Sequence, residues 1–229
     1  MEIVVFSNPE EVARAAADQF QLVSSANAVL GFATGNTPLG IYAELNKRSA
    51  LECKAAFSLD EYVGLGADDN RSFAWYVRTK IEPALGFNPE FIQVPQGDAP
   101  DPKSEANRFE ALIKSQAIDL QLLGTGRNGH IAFNEPGSAK DSVTRVVTLD
   151  SSTRKDNGAD FAGYAPEKAI TQGVSTILRA KRILLVATGA GKKEALQQLF
   201  KGVENPNWPV TYLAGHPDLV VLADQAAVD

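Results

Sequence analysis

Short apolar, β-branched runs recur along this chain at residues 3–6, 28–33, 56–59, 91–94, 120–123, 146–149, 183–187 and 219–222. Between several of them lie stretches with helical spacing, at 9–22, 38–45, 72–81, 104–115, 166–178 and 192–200. No other feature constrains the fold as tightly. Strands joined by crossover helices run parallel to one another, and parallel strands persist where both faces of the sheet are covered. The alternation therefore predicts an α/β fold with a mostly parallel sheet between helical layers. At 229 residues, one domain over 1–229 is the default expectation.

In such a sheet ligands bind beyond the carboxyl ends of the strands, so the loops after strands are where chemistry is sought. Three stand out: Thr34-Gly35-Asn36-Thr37-Pro38, Asp60-Glu61-Tyr62, and the irregular stretch 124–138. In the first, Thr37 reads as an N-cap and Pro38 as the first helical residue, with Gly35 allowing close backbone approach. That outlines an anion site at a helix start, although a simple capped turn has the same local signature. In the second, two adjacent acids at a strand end raise at least one carboxyl pKa if partly desolvated, which suits general base work. A solvated turn or helix cap is the bland alternative.

The third loop, Gly124-Thr125-Gly126-Arg127-Asn128-Gly129, has the spacing of a dinucleotide fingerprint. It runs into His130-Ile131-Ala132-Phe133-Asn134-Glu135-Pro136-Gly137, which is broken by proline rather than opening a helix, so that reading is set aside. Instead His130 has Asn128 two residues before it and Glu135 five after. Histidine suits proton transfer near neutral pH, and a carboxylate at its ring fixes the tautomer. Lys192 and Lys193 open a helix after Thr188-Gly189-Ala190-Gly191; one is expected to face an anion and at least one to be solvated.

Composition narrows the partners. With 22 basic and 28 acidic residues spread along the chain and a net charge of -6, there is no basic stripe for a nucleic-acid backbone. An anionic substrate must therefore be met by a few local donors. Cys53 is the single cysteine, which excludes an intrachain disulfide and a multi-cysteine metal site and fits a reducing cytoplasm. The N-terminus lacks a basic, then apolar, leader, and no apolar run approaches the ~20 residues needed to span a bilayer. The expectation is a cytoplasmic protein with no membrane partner.

Taken together, Ala33-Thr34-Gly35-Asn36-Thr37-Pro38, Leu59-Asp60-Glu61-Tyr62-Val63-Gly64-Leu65 and the 124–137 segment resemble the glucosamine-6-phosphate deaminase family, in the right order and over nearly the whole chain. The resemblance implies a Rossmann-like three-layer α/β/α fold. It also implies conversion of glucosamine 6-phosphate to fructose 6-phosphate and ammonia without metal or organic cofactor. Carried over residue by residue, it makes Asp60 the base that moves the C2 proton to C1, and His130 the ring-opening group, oriented by Glu135 with Asn128 beside it. Thr34, Gly35, Asn36, Thr37 and Lys192 would bind the phosphate, with Glu61 and Gly126 completing the substrate-binding set.

This chain departs from the family pattern in three places. Asn128 stands where some members have Asp. No arginine occurs in 155–161, where the family often has one, which leaves Arg154 as the substitute to examine. Val147 falls where longer, hexameric, allosteric members use a basic residue, so the resemblance implies a monomer without that activation. Gly189-Ala190-Gly191-Lys192 is similar to the galactosamine-6-phosphate group, which keeps the 4-epimer as an alternative substrate. The related 6-phosphogluconolactonases usually have Asp-Glu-Arg in place of Asp60-Glu61-Tyr62 and lack the Asn134-Glu135-Pro136 continuation; a sugar-phosphate sensor without catalysis is a third reading.

Overall fold

A computed structural model describes residues 1–88 and 90–229. In chain order the elements are β1 (Glu2–Phe6), α1 (Pro9–Val23), β2 (Val29–Phe32), α2 (Leu39–Leu45), β3 (Ala55–Ser58), β4 (Asp60–Tyr62), α3 (Phe73–Tyr76), α4 (Glu82–Leu85) and β5 (Ile92–Gln93). There follow α5 (Pro102–Lys114), β6 (Leu120–Leu123), β7 (Arg145–Thr148), α6 (Ser151–Asp156), β8 (Lys168–Thr171), α7 (Val174–Leu178), β9 (Arg182–Ala187), α8 (Lys193–Phe200), β10 (Leu219–Asp224) and α9 (Gln225–Val228). A 7-stranded sheet runs β1-β10-β9-β6-β2-β3-β5, every pair parallel, and forms the middle of a Rossmann-like α/β/α sandwich.

Local chemistry accounts for the flanking helices. Asn8 caps α1 by accepting the Glu11 N–H at 2.9 Å, and Pro9 occupies the first turn, where its missing N–H costs nothing. Val12, Ala13, Ala16, Ala17 and Phe20 recur at helical spacing and are buried against the sheet. Phe20 stacks on Phe32 of β2 with centroids 5.3 Å apart, and burying a side chain of that size contributes roughly 1.5–3 kcal/mol.

A second, 3-stranded antiparallel sheet, β4-β8-β7, stands beside the large one with its own aromatic cluster around Tyr62 and Phe133. It changes three expectations. The 146–149 run becomes β7 of this small sheet rather than a strand of the parallel one. The stretch 166–178, which has helical spacing, divides into strand β8 and the short helix α7. The break falls at Gly173, where a Cβ would lie 2.2 Å from the Ser142 carbonyl oxygen; the chain passes too close to its neighbour for a helix to continue through. Finally, Asp60-Glu61-Tyr62 is a strand, β4, and not a turn.

The stretch 72–81 is helical but not uniform: α3 widens into a π-helical turn over Val77–Ile81 before α4. Pro83 explains the widening, because its ring and missing N–H disrupt an ordinary α-turn onto residue 79. Helix α2 starts one residue later than expected. Pro38, already in helical conformation, holds the cap position, the Leu39 N–H meets the Asn36 carbonyl at 3.3 Å, and no side-chain cap forms. Thr37 is therefore not the N-cap.

Candidate active site

Strand order reverses between β2 and β6: from β2 the chain steps outward to β3 and β5, and from β6 the other way to β9 and β10. Loops leaving these two neighbours diverge and open a crevice at the strands' carboxyl ends. A cleft of about 200 Å³ lies there, lined by Thr34, Gly35, Asn36, Thr37, Asp60, His130 and Lys192 among others. In the loop after β2, the Tyr42 hydroxyl donates to the Ala33 carbonyl and the Tyr76 hydroxyl to the Gly35 carbonyl, each at 2.6 Å. Gly35 has φ +98°, which favours glycine. Among the described residues the N–H groups of Gly35, Asn36 and Thr37 meet no protein acceptor. With α2 only 7 residues long, these free amides, more than a helix dipole, are what the loop offers an anion.

The chain leaves β3 and passes through Leu59 directly into β4, whose alternation sends Asp60 and Glu61 to opposite faces. Asp60 lines the cleft while only 5% exposed, and no hydrogen bond to its carboxylate forms among the described residues. Burial, reinforced by the negative charge of Glu61, pushes its pKa up to about 8. Glu61 does not line the cleft. It is wholly buried, and its oxygens accept the N–H groups of Tyr62 (2.8 Å), Phe73 (3.0 Å) and Ala74 (2.7 Å). Burial raises its pKa as well, against the pull of those three donors. Its place in the substrate-binding set is thus corrected: it ties β4 to the start of α3.

The loop after β6 builds the opposite wall. The Asn128 amide donates to Glu135 Oε2 at 2.9 Å, and Asn128 Oδ1 accepts the His130 N–H at 3.2 Å. The His130 ring sits with Nδ1 3.6 Å from the same Glu135 oxygen, just beyond hydrogen-bond range. Burial works to raise the Glu135 pKa, but His130, Thr153 and Asn128 outweigh it and hold the carboxyl below its usual range. Gly126 is where it must be for this arrangement, because a Cβ there would come 2.3 Å from His130 Cε1. It supports the ring from behind and does not line the cleft. No helix follows this loop; it closes through a single Ile131–Asn134 bridge, so the dinucleotide spacing is coincidental. Buried Asn134 fastens it to the small sheet through the Gln172 carbonyl and Arg145, both at 2.9 Å.

Lys192 reaches the cleft from the loop after β9, with Nζ donating to the Thr125 carbonyl at 2.6 Å. Burial, then the charge of Arg127, lowers its pKa. Lys193 instead bonds the Asp229 carbonyl. Residues 7–221 match the family of glucosamine-6-phosphate isomerases/6-phosphogluconolactonase. The chain belongs to this family. It is 45% identical over 203 residues to a glucosamine-6-phosphate deaminase of Exiguobacterium sp., covering 87% of this chain and 79% of the relative. The glucosamine-6-phosphate deaminase of Bacillus thuringiensis (strain Al Hakam) is 40% identical over 233 residues, covering 100% of this chain and 88% of its own. A solved monomeric glucosamine-6-phosphate deaminase superposes with a TM-score of 0.93 at 38% identity, over 99% of this chain and 98% of that one. The 6-phosphogluconolactonase from Trypanosoma brucei, at TM-score 0.77 and 20% identity over 99% and 97% of the two chains, shares the fold.

Within this family framework the structure also shows what the motifs did not indicate. Arg154 does not reach the cleft: its Nε donates to the Ala165 carbonyl at 2.9 Å and its guanidinium lies over the Tyr164 ring. Asn157, just after α6, lines the cleft in the segment that lacks an arginine. Phe73 and Phe133 form the apolar part of the wall, packed with Tyr62 at centroid distances of 4.8 and 5.4 Å. Ala132 contributes with φ 49°, an unusual value for a residue with a side chain and a sign that the loop is held in place by its surroundings. Asn157, after α6, and Phe73, at the start of α3, carry no motif, while Ala132 and Phe133 fall within the 124–137 segment without being singled out there. Among the described residues no group of three or more His, Cys, Asp or Glu is placed to hold a metal ion.

Proposed function

We propose that this chain is a glucosamine-6-phosphate deaminase that converts glucosamine 6-phosphate and water to fructose 6-phosphate and ammonia. The observation that carries the reading is the cleft itself: Asp60, a buried carboxyl group with no hydrogen-bond partner among the described residues, shares it with His130, Lys192 and a loop of amides that are likewise free among those residues. The names and high similarity of the relatives support it.

In this reading the phosphate lies on the N–H groups of Gly35, Asn36 and Thr37, with Thr34 beside them and Lys192 as cationic partner. His130 carries a proton between the anomeric hydroxyl and the ring oxygen, breaking the ring C–O bond to give the aldehyde. Glu135 steadies the charged imidazole, and Asn128 holds Glu135. Asp60 takes the C2 proton and delivers it to C1. The electrons of the C2–H bond form a C1=C2 double bond while a proton of the substrate's ammonium group passes to the aldehyde oxygen, and protonation at C1 then leaves a protonated imine at C2, which water converts to the ketone with release of ammonia. A base with a pKa near the working pH can both accept and return a proton, and the burial of Asp60 supplies that poise.

Glu61 and Gly126 act through their neighbours and do not touch the sugar. The single domain over 1–229 is read as a monomer acting on a small sugar phosphate, in keeping with the monomeric relative. No helix is long and apolar enough to cross a membrane among the described residues. The test is ammonia and ketose-phosphate release from glucosamine 6-phosphate beside galactosamine 6-phosphate, with 6-phosphogluconolactone hydrolysis as contrast. Ammonia from the gluco epimer is the expected result; lactone hydrolysis alone, or silence on all three, would reject the reading.

A further inference from the structure

Tyr76 lies outside the cleft, on the wall of a neighbouring hollow that it shares with Trp75, Lys80 and Asn157, yet its hydroxyl reaches the Gly35 carbonyl at 2.6 Å. A trans peptide is planar, with its C=O and N–H pointing in opposite directions. Drawing the Gly35 oxygen toward Tyr76 therefore turns the Asn36 N–H the opposite way, at a residue that borders both the hollow and the cleft. Gly35, at φ +98°, leaves this peptide plane free to rotate unless something holds its oxygen. Tyr42 holds the Ala33 oxygen in the same way two peptides earlier.

The position of Tyr76 is itself fixed from the other side of the cleft. Glu61 binds the Phe73 and Ala74 N–H groups at the start of α3, Ser72 Oγ accepts the Trp75 N–H at 3.0 Å, and α3 ends at Tyr76. The strand carrying Asp60 and the loop carrying the free amides are thus joined by a short chain of hydrogen bonds: Glu61 to α3, then Tyr76 to Gly35. Burial pushes the Tyr76 phenol up to about 12, so it remains a donor throughout the neutral range.

We infer that Tyr76 is a positioning residue that presets the Gly35–Asn36 peptide to donate to a phosphate oxygen, with Glu61 acting through it. The inference rests on the phosphate assignment made above. The test compares the whole wild-type chain with Tyr76→Phe, using inorganic phosphate as the binding probe alongside glucosamine 6-phosphate turnover. Loss of one such hydrogen bond predicts that the phosphate dissociation constant and KM rise together, about 3- to 10-fold, with kcat within about 2-fold and an unchanged thermal melt.

Unmoved phosphate affinity overturns the inference, and so does a fall in kcat at constant KM. If the wild type binds phosphate but releases no ammonia, the deaminase reading fails while the phosphate constants still decide the role of Tyr76. Should Tyr76→Phe not fold, selective ¹⁵N labelling of Asn36 in the wild type replaces it: phosphate must shift that amide resonance, and an unmoved resonance overturns the inference.

Discussion

Asp60 lines one wall of the cleft while Glu135 stands behind the opposite wall, beside His130, and the two carboxyl groups sit in opposite environments. Asp60 stands on a strand, its carboxylate without a hydrogen bond among the described residues and its pKa raised to about 8 by burial and by Glu61. Glu135 stands in a loop, anchored by Asn128 and lying 3.6 Å from His130, and despite burial its pKa is held down. When two carboxyl groups in one site are pushed apart in this way, the raised one is fitted to exchange protons and the lowered one to remain a fixed charge. The comparison is consistent with the proposed roles, proton transfer at carbon for Asp60 and the steadying of an imidazolium for Glu135.

The comparison breaks most sharply at Asp60. Asp60→Asn is expected to lower turnover by ~10²–10⁴-fold, the range for loss of a general base. It should also melt higher than wild type at pH 8 and above. Because its folded-state pKa is raised from 3.8 to about 8, the stability that Asp60 contributes is fully present below about 3.8 and lost as pH rises through about 8. The neutral amide escapes that loss, and the two proteins should melt alike at low pH. A variant that is inactive and also less stable at every pH would show that Asp60 is structural.

A smaller effect is expected at the other wall. His130→Gln should lose about 10²-fold on the closed sugar yet retain C2 proton exchange in an open-chain analogue, because ring opening and proton abstraction are assigned to different groups. Equal loss on both substrates would merge the two walls into one function. Smaller still is the effect of Glu61→Gln. Removing the like charge lowers the Asp60 pKa and shifts the acid limb of kcat/KM to lower pH. An amide NH₂ facing the Ala74 N–H should cost about 1–3 kcal/mol in stability, read by denaturant titration. An unmoved acid limb would mean that burial alone sets Asp60.

The two regions also differ in how far the sequence reveals them. The inner parallel strands β2, β3, β6, β9 and β10 are mostly buried and carry apolar runs that make them legible, the edge strands β1 and β5 show as the less buried runs 3–6 and 91–94, and the loops after the strands point to Thr34–Thr37, Asp60, His130 and Lys192. The small antiparallel sheet is far less visible. Strand β4 is three polar or aromatic residues, and β8 sits in a stretch whose apolar spacing is helical until the close approach at Gly173 interrupts it. Asn157 and Tyr76 belong to segments placed by tertiary packing, with no motif of their own, while Glu61 looks like Asp60 until strand alternation separates them. Relatives identify the chemistry, but the division between a cleft-facing acid and an anchoring acid emerges only from the fold.

The most direct test of proton transfer by Asp60 is release of label from glucosamine 6-phosphate deuterated at C2, followed in wild type and in Asp60→Asn with inorganic phosphate binding measured in parallel. The account predicts label loss and ammonia from wild type, and neither from the variant, with phosphate affinity unchanged. Label loss from Asp60→Asn at the wild-type rate, in a normally folded protein, would contradict it.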